Sequence, residues 1–231
     1  MALTPITWDD TGKRFYETGV DHGVLYTYNS GTSKYENGVA WNGLTAITES
    51  PSGAEATALW ADNIKYANLI SAEEFGGTIE AYTYPDEFMA CDGFANLADG
   101  VSVGQQNRAT FGLAYRTLVG NDTESTDHGY KLHLLYGCLA SPSEKAYATV
   151  SDSPEAITFS WEFTTTAVTV PDMKATACIT IDSRTADPTA LQKLEDALYG
   201  TNVSTTNTAE SPYLPMPSEL VEMFAGEGLE G

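Results

Sequence analysis

The sequence predicts a mainly β (α+β) fold, a β-sandwich or barrel-like domain with one α-helix on its flank. Segments in which apolar and polar residues alternate recur along the chain, and clusters of turn residues separate them. Only one segment carries both helix-start and helix-stop signals. At 231 residues the chain is long enough to bury a sizeable core without disulfide or metal support.

The first half of the chain is predicted to contain an arm, several strands and a short helix. Residues 1–20 are polar with scattered apolar residues and predict an N-terminal arm. Strands are predicted at 23–29, 38–47 and 76–84. For 57–70 we favour extended structure over a helix, because Trp, Ile and Tyr surround an Asp-Asn pair. A short helix is predicted from Pro85, with Gly93 just past its end.

The second half is predicted to hold the remaining strands and the one clear helix. Strands are predicted at 109–118, 130–139, 156–170 and 175–183, the first two as a hairpin with a long acidic loop. A helix is predicted between Asp187, which can cap the free N–H groups, and Gly200, which can take a left-handed closing conformation. Its apolar stripe consists of Leu191, Leu194 and Leu198. The predicted organisation is an arm (1–20), a β domain (21–200) and an extended C-terminal arm (201–231).

The 156–170 segment has a strict two-residue period. Ile157, Phe159, Trp161 and Phe163 fall on one face, and Thr158, Ser160, Glu162 and Thr164 fall on the other. Such a strand buries one side and exposes the other to water.

The charge balance shows a shortage of bases. The chain has 32 acids and 11 bases, a net charge of −21, whereas an average chain of this length has about 29 of each. The shortage argues against a DNA-gripping function, which requires Lys and Arg to displace counterions. It suits a surface that stays near a polyanion without binding it, and equally a soluble, self-repelling surface.

No cofactor, metal or catalytic motif emerges from the sequence. Three cysteines without a CxxC pair favour neither a disulfide framework nor a zinc site. Nucleotide-binding, hydrolase and zinc-protease motifs are not found, and the three histidines do not suggest a triad. A calcium site at Asp122, Glu124 and Asp127 is a weaker hypothesis than a solvated hairpin tip, and Glu80 with Glu162 as a glycosidase pair is weaker still. We expect neither a signal peptide nor a membrane-spanning helix.

Seven stretches together resemble the major tail (tail tube) proteins of long, non-contractile-tailed phages and related prophages. The similarity runs from about residue 15 to 200. The stretches are "GVAWNGLTAITESPSGAE", "LWADNIKY", "AEEFGGTIEAYTYPDEF", "GQQNRATFGLAYRTLVGND", "YKLHLLYGCLASPSEK", "SPEAITFSWEF" and "IDS" followed by "LQKLEDALYGT". Each stretch alone is weakly specific, and their common order makes the resemblance more specific.

The resemblance implies a structural virion protein made in the host cytoplasm. In that family six copies form a ring whose sheets join into one continuous inner β-barrel. The rings stack into a tube around a tape-measure protein, and double-stranded DNA passes without specific binding. Implied partners are other copies of the chain, the tape-measure protein, and the tail terminator and distal tail proteins. The family implies no catalytic residue, cofactor, metal or membrane.

From the alternation and the resemblance we expect a lumen-facing set of residues and a stacking segment. The lumen set is Glu80, Thr158, Ser160, Glu162 and Thr164. The 49–69 region is a candidate for contact with the next ring, and both arms for inter-ring or chaperone contacts. Arg108 and Arg116 are candidates for ion pairs at a subunit seam.

Two alternatives stay open at this point. One is a lectin-like carbohydrate-binding β-sandwich module, which a Tyr-rich acidic β domain would also suit. The other is the tube protein of a contractile tail or secretion system, which shares the architecture.

Overall fold

The computed structural model describes residues 6–150, 152, 156–201 and 211–225, and it confirms a mainly β, α+β fold. The strands are β1 (Tyr16–Asn29), β2 (Lys34–Ala40), β3 (Leu44–Glu49), β4 (Ser52–Gly53), β5 (Ala56–Ala61), β6 (Ile64–Ile70), β7 (Glu73–Glu74), β8 (Gly76–Ala81), β9 (Ala95–Ala98), β10 (Val101–Val103), β11 (Phe111–Asn121), β12 (Ser125–Ala140), β13 (Phe159–Thr165) and β14 (Cys178–Asp182). The helices are α1 (Phe88–Cys91), α2 (Pro188–Tyr199) and α3 (Pro217–Phe224).

The main sheet has eight strands and branches at β12, which pairs with both β13 and β14. Its order is β2-β1-β11-β12-β13-β8-β3, with β14 as a second partner of β12. Residues 131–135 of β12 pair with β14, and residues 138–140 pair with β13. Gly137 lies between the two pairings with a φ of +62°, and its carbonyl accepts a 3.0 Å hydrogen bond from Thr166 N. A glycine is favoured here because side-chain-bearing residues rarely adopt this backbone conformation.

A first core lies on one side of the sheet. Leu113 and Leu135 of β11 and β12 meet Ile79, Trp161 and Phe163 of β8 and β13, all of them buried. The predicted apolar face of the 156–170 strand therefore packs inward from Phe159 onward, although β13 itself is shorter than the prediction. Burial of these side chains fixes which face of β8 and β13 is left outside.

A second core lies on the opposite side, under the two longer helices. It joins sheet residues to the leucine stripe of α2 and to α3; its members include Tyr26, Leu132, Leu134, Tyr136, Leu191, Leu194, Leu198 and Leu220. Three tyrosine hydroxyls are satisfied there: Tyr26 donates to Leu198 O, Tyr136 donates to Pro215 O, and Tyr35 accepts from Gly137 N. The central strands are thus buried on both faces.

The predicted helix over 187–200 is confirmed. Asp187 accepts hydrogen bonds from Thr189 N and Ala190 N at 3.0 and 2.9 Å, and Pro188 is the first helical residue. Gly200 ends the helix with a φ of +76°. The N-terminal cap is the one that the sequence pattern predicts. Gly200 has the expected positive φ, but its ψ of 164° places it outside the left-handed helical region.

The predicted arms require correction within the described residues. β1 already begins at Tyr16, so residues 16–20 belong to the sheet, where Tyr16 pairs opposite Gly120. The C-terminal segment is not an extended arm throughout. Leu214 forms a bridge with Tyr35 along the outer edge of β2, and α3 follows it. Residues 1–5, 202–210 and 226–231 of the predicted arms lie outside the described residues.

Several predicted boundaries also differ. The predicted 38–47 strand is two strands, because the chain turns between Ala40 and Leu44 with Gly43 at a φ of +77°. The predicted short helix begins at Phe88, three residues after Pro85. The acidic hairpin loop is short, since β11 continues to Asn121 and β12 begins at Ser125. The small hairpin of β9 and β10 was not predicted.

Candidate assembly surfaces

The predicted lumen residues share one exposed sheet face. Ser160 pairs opposite Glu80, and Glu162 pairs opposite Thr78. Directly opposed residues of an antiparallel pair lie on the same face. Thr164 belongs to the same face of β13, and Thr158, exposed, lies just before the strand. The structure therefore brings these residues into one surface, which we name the polar face and define as the solvent side of β3, β8 and β13.

The polar face carries hydroxyl groups and acids and no base. Thr48 of β3 lies opposite Thr78, which extends the face to the third strand. The segments 44–49, 76–81 and 159–165 contain no Lys, Arg or His. Glu80 is half-buried and Glu162 is exposed. A phosphate backbone next to this face would meet no side chain that could release its counterions.

The ribbon of β3 and β8 continues well beyond the main sheet. After β3 the chain pairs again as β4 with β7 and then as β5 with β6, so two antiparallel strands run together from Leu44 to a turn at Asp62-Asn63. Both turn residues have positive φ, 49° and 62°, as a two-residue type I′ hairpin requires. We name β5, β6 and their turn the distal ribbon (residues 56–70). Seven residues of strand extend about 23 Å.

The distal ribbon exposes large apolar side chains on both faces. Leu59, Ile64 and Leu69 project from one face, and Trp60 and Ile70 from the other, as the pairing register shows. Trp60 is 69% exposed and Ile64 63%. No other described strand or helix packs closely against β5 or β6. Clusters of exposed apolar residues of this kind mark interaction sites.

Glu49 anchors the proximal end of this ribbon, where β3 ends. Its Oε1 accepts a 2.5 Å hydrogen bond from the Tyr115 hydroxyl and lies 3.4 Å from His133 Nδ1 and 3.9 Å from Cys178 Sγ. These partners belong to β11, β12 and β14, across the first core. The His133 imidazole beside it, and then the hydrogen bond from Tyr115, hold the pKa of Glu49 below its ordinary 4.5 despite partial burial.

Tyr115 and Cys178, which lie beside Glu49, are both less acidic than usual. Burial, together with the hydrogen bond to Glu49, raises the pKa of the Tyr115 phenol far above its ordinary value. Burial and the nearby Glu49 charge raise the pKa of the Cys178 thiol to about 11. Cys178 is therefore held as a neutral thiol, which is the unreactive form. The cluster is a structural anchor and has no activated nucleophile.

Arg108 and Arg116 each pair with a carboxylate of their own chain. Arg116 makes a bidentate contact with Asp21 at 2.7 and 2.8 Å. Arg108 Nη1 lies 3.3 Å from the buried Asp92, which also accepts a 2.5 Å hydrogen bond from Lys145. These pairs stabilise the fold, and a role of either arginine at a subunit seam stays a prediction.

The acidic hairpin tip is tied to neighbouring groups. Asp122 accepts from Gly12 N at 2.9 Å, and Glu124 lies 2.5 Å from His128 Nδ1. Within residues 6–150, 152, 156–201 and 211–225, no group of three or more His, Cys, Asp or Glu side chains is arranged to hold a metal ion. In the same part of the chain, the helices are all too short to cross a lipid bilayer.

The sequence analysis did not single out the exposed apolar residues of the distal ribbon as candidate contact residues. The 49–69 region was predicted as a stacking segment, but which of its side chains would make contact was not. The signal was present in the 57–70 stretch, where large apolar residues occupy both strand faces on either side of an Asp-Asn turn. A strand with a core on one side only would show them on one face.

The described part of the chain thus presents two surfaces of different character: a base-free polar face on β3, β8 and β13, and an apolar distal ribbon that continues the β3–β8 pair. Neither models of known protein families nor curated proteins match this chain.

Proposed function

We propose that this chain is the repeating subunit of a phage tail tube, in which rings of six copies stack and DNA passes along the polar face. The observation that carries the proposal is one continuous ribbon with two different ends. Its proximal part, β3 and β8, belongs to a base-free polar sheet backed by the first core. Its distal part exposes apolar side chains on both faces. The resemblance of seven ordered stretches to tail tube proteins supports the same function.

The polar face suits a wall along which DNA moves. B-DNA carries one charge per about 1.7 Å of axis, and screening limits the influence of a wall charge to about 8 Å at physiological salt. Carboxylates such as Glu80 and Glu162 therefore do not propel DNA. They keep a water layer between wall and phosphate, and the hydroxyls of Thr78 and Ser160 hydrate that layer without adding charge.

Closure into a ring also removes open sheet edges. The outer edge of β2 is covered by the Leu214 segment, whereas β3 ends the strand order at the other side with no further described strand beside it. An uncovered edge favours pairing with another chain, and a closed barrel has no such edge. In the proposed tube, β3 joins the neighbouring subunit and the polar faces together enclose the lumen. The proposal assigns no catalytic residue.

Electron microscopy of the purified protein at increasing concentration tests the proposal. We expect hollow filaments or stacked rings of uniform width, with the ends of β3 at the lumen wall in a reconstruction. A protein that stays monomeric at high concentration, and that gains thermal stability with sugars or calcium, would instead be a lectin-like module. A reconstruction with Glu162 on the outer surface would contradict the lumen assignment even if filaments form.

A further inference from the structure

The distal ribbon lacks a partner within the described part of its own chain. A two-stranded hairpin alone is marginally stable in water, and this one exposes Trp60, Ile64 and Ile70 by more than 60% each. Both faces of the ribbon are apolar. A partner that covers one of them would therefore supply the packed face that the isolated hairpin lacks. The shape and chemistry of the rest of the molecule point to where such a partner surface lies.

An apolar groove runs between β14 and α3. It has a volume of about 600 Å³, and its apolar lining includes Met173, Ile179, Ile181, Leu220, Val221 and Phe224. Met173 is 77% exposed, which is unusual for a large apolar side chain beside a core. We name this surface the edge groove. Its volume lies within the range of concave binding sites.

The strand that borders the edge groove has a free side. β14 pairs with β12 alone among the described strands. Ser183 N donates to Tyr130 O, and Tyr136 N donates to Ala177 O, so the odd-numbered residues of this stretch direct their backbone groups toward β12. On the other side of β14, Cys178 N and O already bond to Thr176 Oγ1, and Asp182 O accepts from Thr185 N and Ala186 N. Thr180 is therefore the residue of β14 that directs its N–H and C=O toward the open side. An extended partner can add to such an edge by backbone hydrogen bonds while its side chains fill the groove.

The tip of the distal ribbon and the edge groove carry unpaired charges of opposite sign. Eight of the eleven bases form ion pairs within the chain. Among the described residues, the three bases without an ion pair are Lys65, Lys174 and Lys193. Lys174 lines the edge groove, and Asp62 stands unpaired at the tip of the distal ribbon. In a chain of net charge −21, an unpaired, exposed lysine that lines an apolar groove can donate hydrogen bonds to an acid of a second copy.

We infer that the distal ribbon of one copy lies in the edge groove of a second copy, along the free side of β14, with Asp62 near Lys174. The inference rests on the proposed function, since it names a second contact between tube subunits beside the pairing of β3. The ribbon and the groove are different surfaces of one chain, so the contact is heterologous: a bound pair still offers one free ribbon and one free groove to further copies.

The cleft beside the groove supports a continuous row of ribbons. Ala54 and Ile70, at the base of the resident ribbon, line one cleft together with Met173 and Lys174 of the edge groove. A ribbon that enters from a second copy therefore ends beside the base of the resident ribbon. In such an assembly the tip of each ribbon meets the base of the next.

Chemical cross-linking between two positions tests the contact directly. Ile64→Cys and Val221→Cys are made in separate chains on a Cys178→Ala background. Cys178 is removed because it is partly exposed, whereas Cys91 and Cys138 are buried and are kept. Mixing the two variants with a short bis-maleimide is expected to give a covalent pair, and one chain with both changes is expected to give a ladder. The matched control replaces Ile64→Cys by Leu97→Cys, which is 72% exposed on the β9–β10 hairpin and is expected to give neither product.

Charge exchange provides an independent test. Asp62→Lys and Lys174→Asp each place like charges in the proposed contact, and we expect each to raise the critical concentration for assembly by about threefold or more. The double variant restores opposite charges and should return the critical concentration to the wild-type value. Lys193→Asp, at the third unpaired base on α2, is the matched control and should leave assembly unchanged.

The outcomes separate this inference from the proposed function. If wild-type filaments form but the cross-link is absent and the double charge variant fails to restore assembly, the edge groove is not the ribbon's site and the tube function stands. A cross-link that closes within one chain, seen as a compact monomer on a denaturing gel, also overturns the inference. If wild-type protein never assembles at any concentration, the tube function itself fails.

Discussion

Single side chains hold the long ribbon in place at its proximal end. Glu49 connects β3 to three strands on the far side of the first core through Tyr115, His133 and Cys178. The carboxylate is thus part of the structure in its charged form, and its contribution to stability depends on pH.

Glu49→Gln is expected to lower the melting temperature at neutral pH and to have no effect in acid. The folded-state pKa of Glu49 is depressed below 4.5, so its contribution is complete above that value and is lost as pH falls through the folded pKa. The difference in melting temperature between wild type and variant should therefore close below pH 4.5. Thermal melts followed by circular dichroism across this window measure it. Glu55→Gln, at an exposed position before β5, serves as the control and should show no difference at either end.

Gly137 is the second residue on which the architecture depends. A Cβ at this position would overlap the carbonyl oxygen of Thr166, and the backbone is left-handed. We expect Gly137→Ala to destabilise the fold by about 2–4 kcal/mol in urea unfolding. Gly100→Ala isolates the backbone contribution, because Gly100 has a similar φ of +76° and no atom within 4 Å of the added Cβ. Its cost should be about 1–2 kcal/mol. Equal losses in the two variants would show that β12 tolerates the overlap.

At the scale of elements, the distal ribbon is separable from the fold. Replacing residues 56–70 by a short Gly-Ser turn leaves β3 paired with β8 and removes no core side chain. We expect the truncated chain to keep its free energy of unfolding within about 0.5 kcal/mol and to lose filament formation. Urea unfolding and electron microscopy of the same preparation check both parts. A truncated chain that unfolds would show that the ribbon supports the monomer, and one that still assembles would remove it from the tube contact.

Elements with local signals were predictable, and those fixed by distant partners were not. Helix α2 was predicted because Asp187, Pro188 and its leucines lie within one segment. Helix α3 was missed because the proline-rich segment before it is held by a bridge between Leu214 and Tyr35, far apart in sequence. The polar face could be predicted from the alternation along 156–170. The edge groove could not, since it forms where β14 meets α3.

At the scale of the whole molecule, the distribution of charge determines how the proposed tube treats DNA. Asp21, Asp92 and other acids already neutralise most bases within the chain. The remaining negative charge is spread over a surface that includes the polar face. A wall made of such faces repels phosphate at short range and leaves it free at distances beyond about 8 Å.

Glu162→Lys is expected to give the tube an affinity for DNA without preventing assembly. Each substituted subunit adds one site for counterion release, repeated around every ring. We expect slower DNA ejection from particles carrying the variant, and DNA binding by purified tubes that weakens steeply as salt rises. Asp99→Lys changes the net charge equally at the turn between β9 and β10 and should leave ejection at the normal rate. A normal ejection rate for Glu162→Lys would count against the lumen assignment.

The internal pairing of eight bases has a kinetic consequence. Free copies approach one another as strongly negative bodies, since few cations remain on the outside to offset 32 acids. For the proposed tube we therefore expect slow spontaneous nucleation at low ionic strength. We also expect copies to add faster to a preformed tube end, which presents several edge grooves, than to a single copy. Dilute protein should then stay unassembled until such an end is supplied.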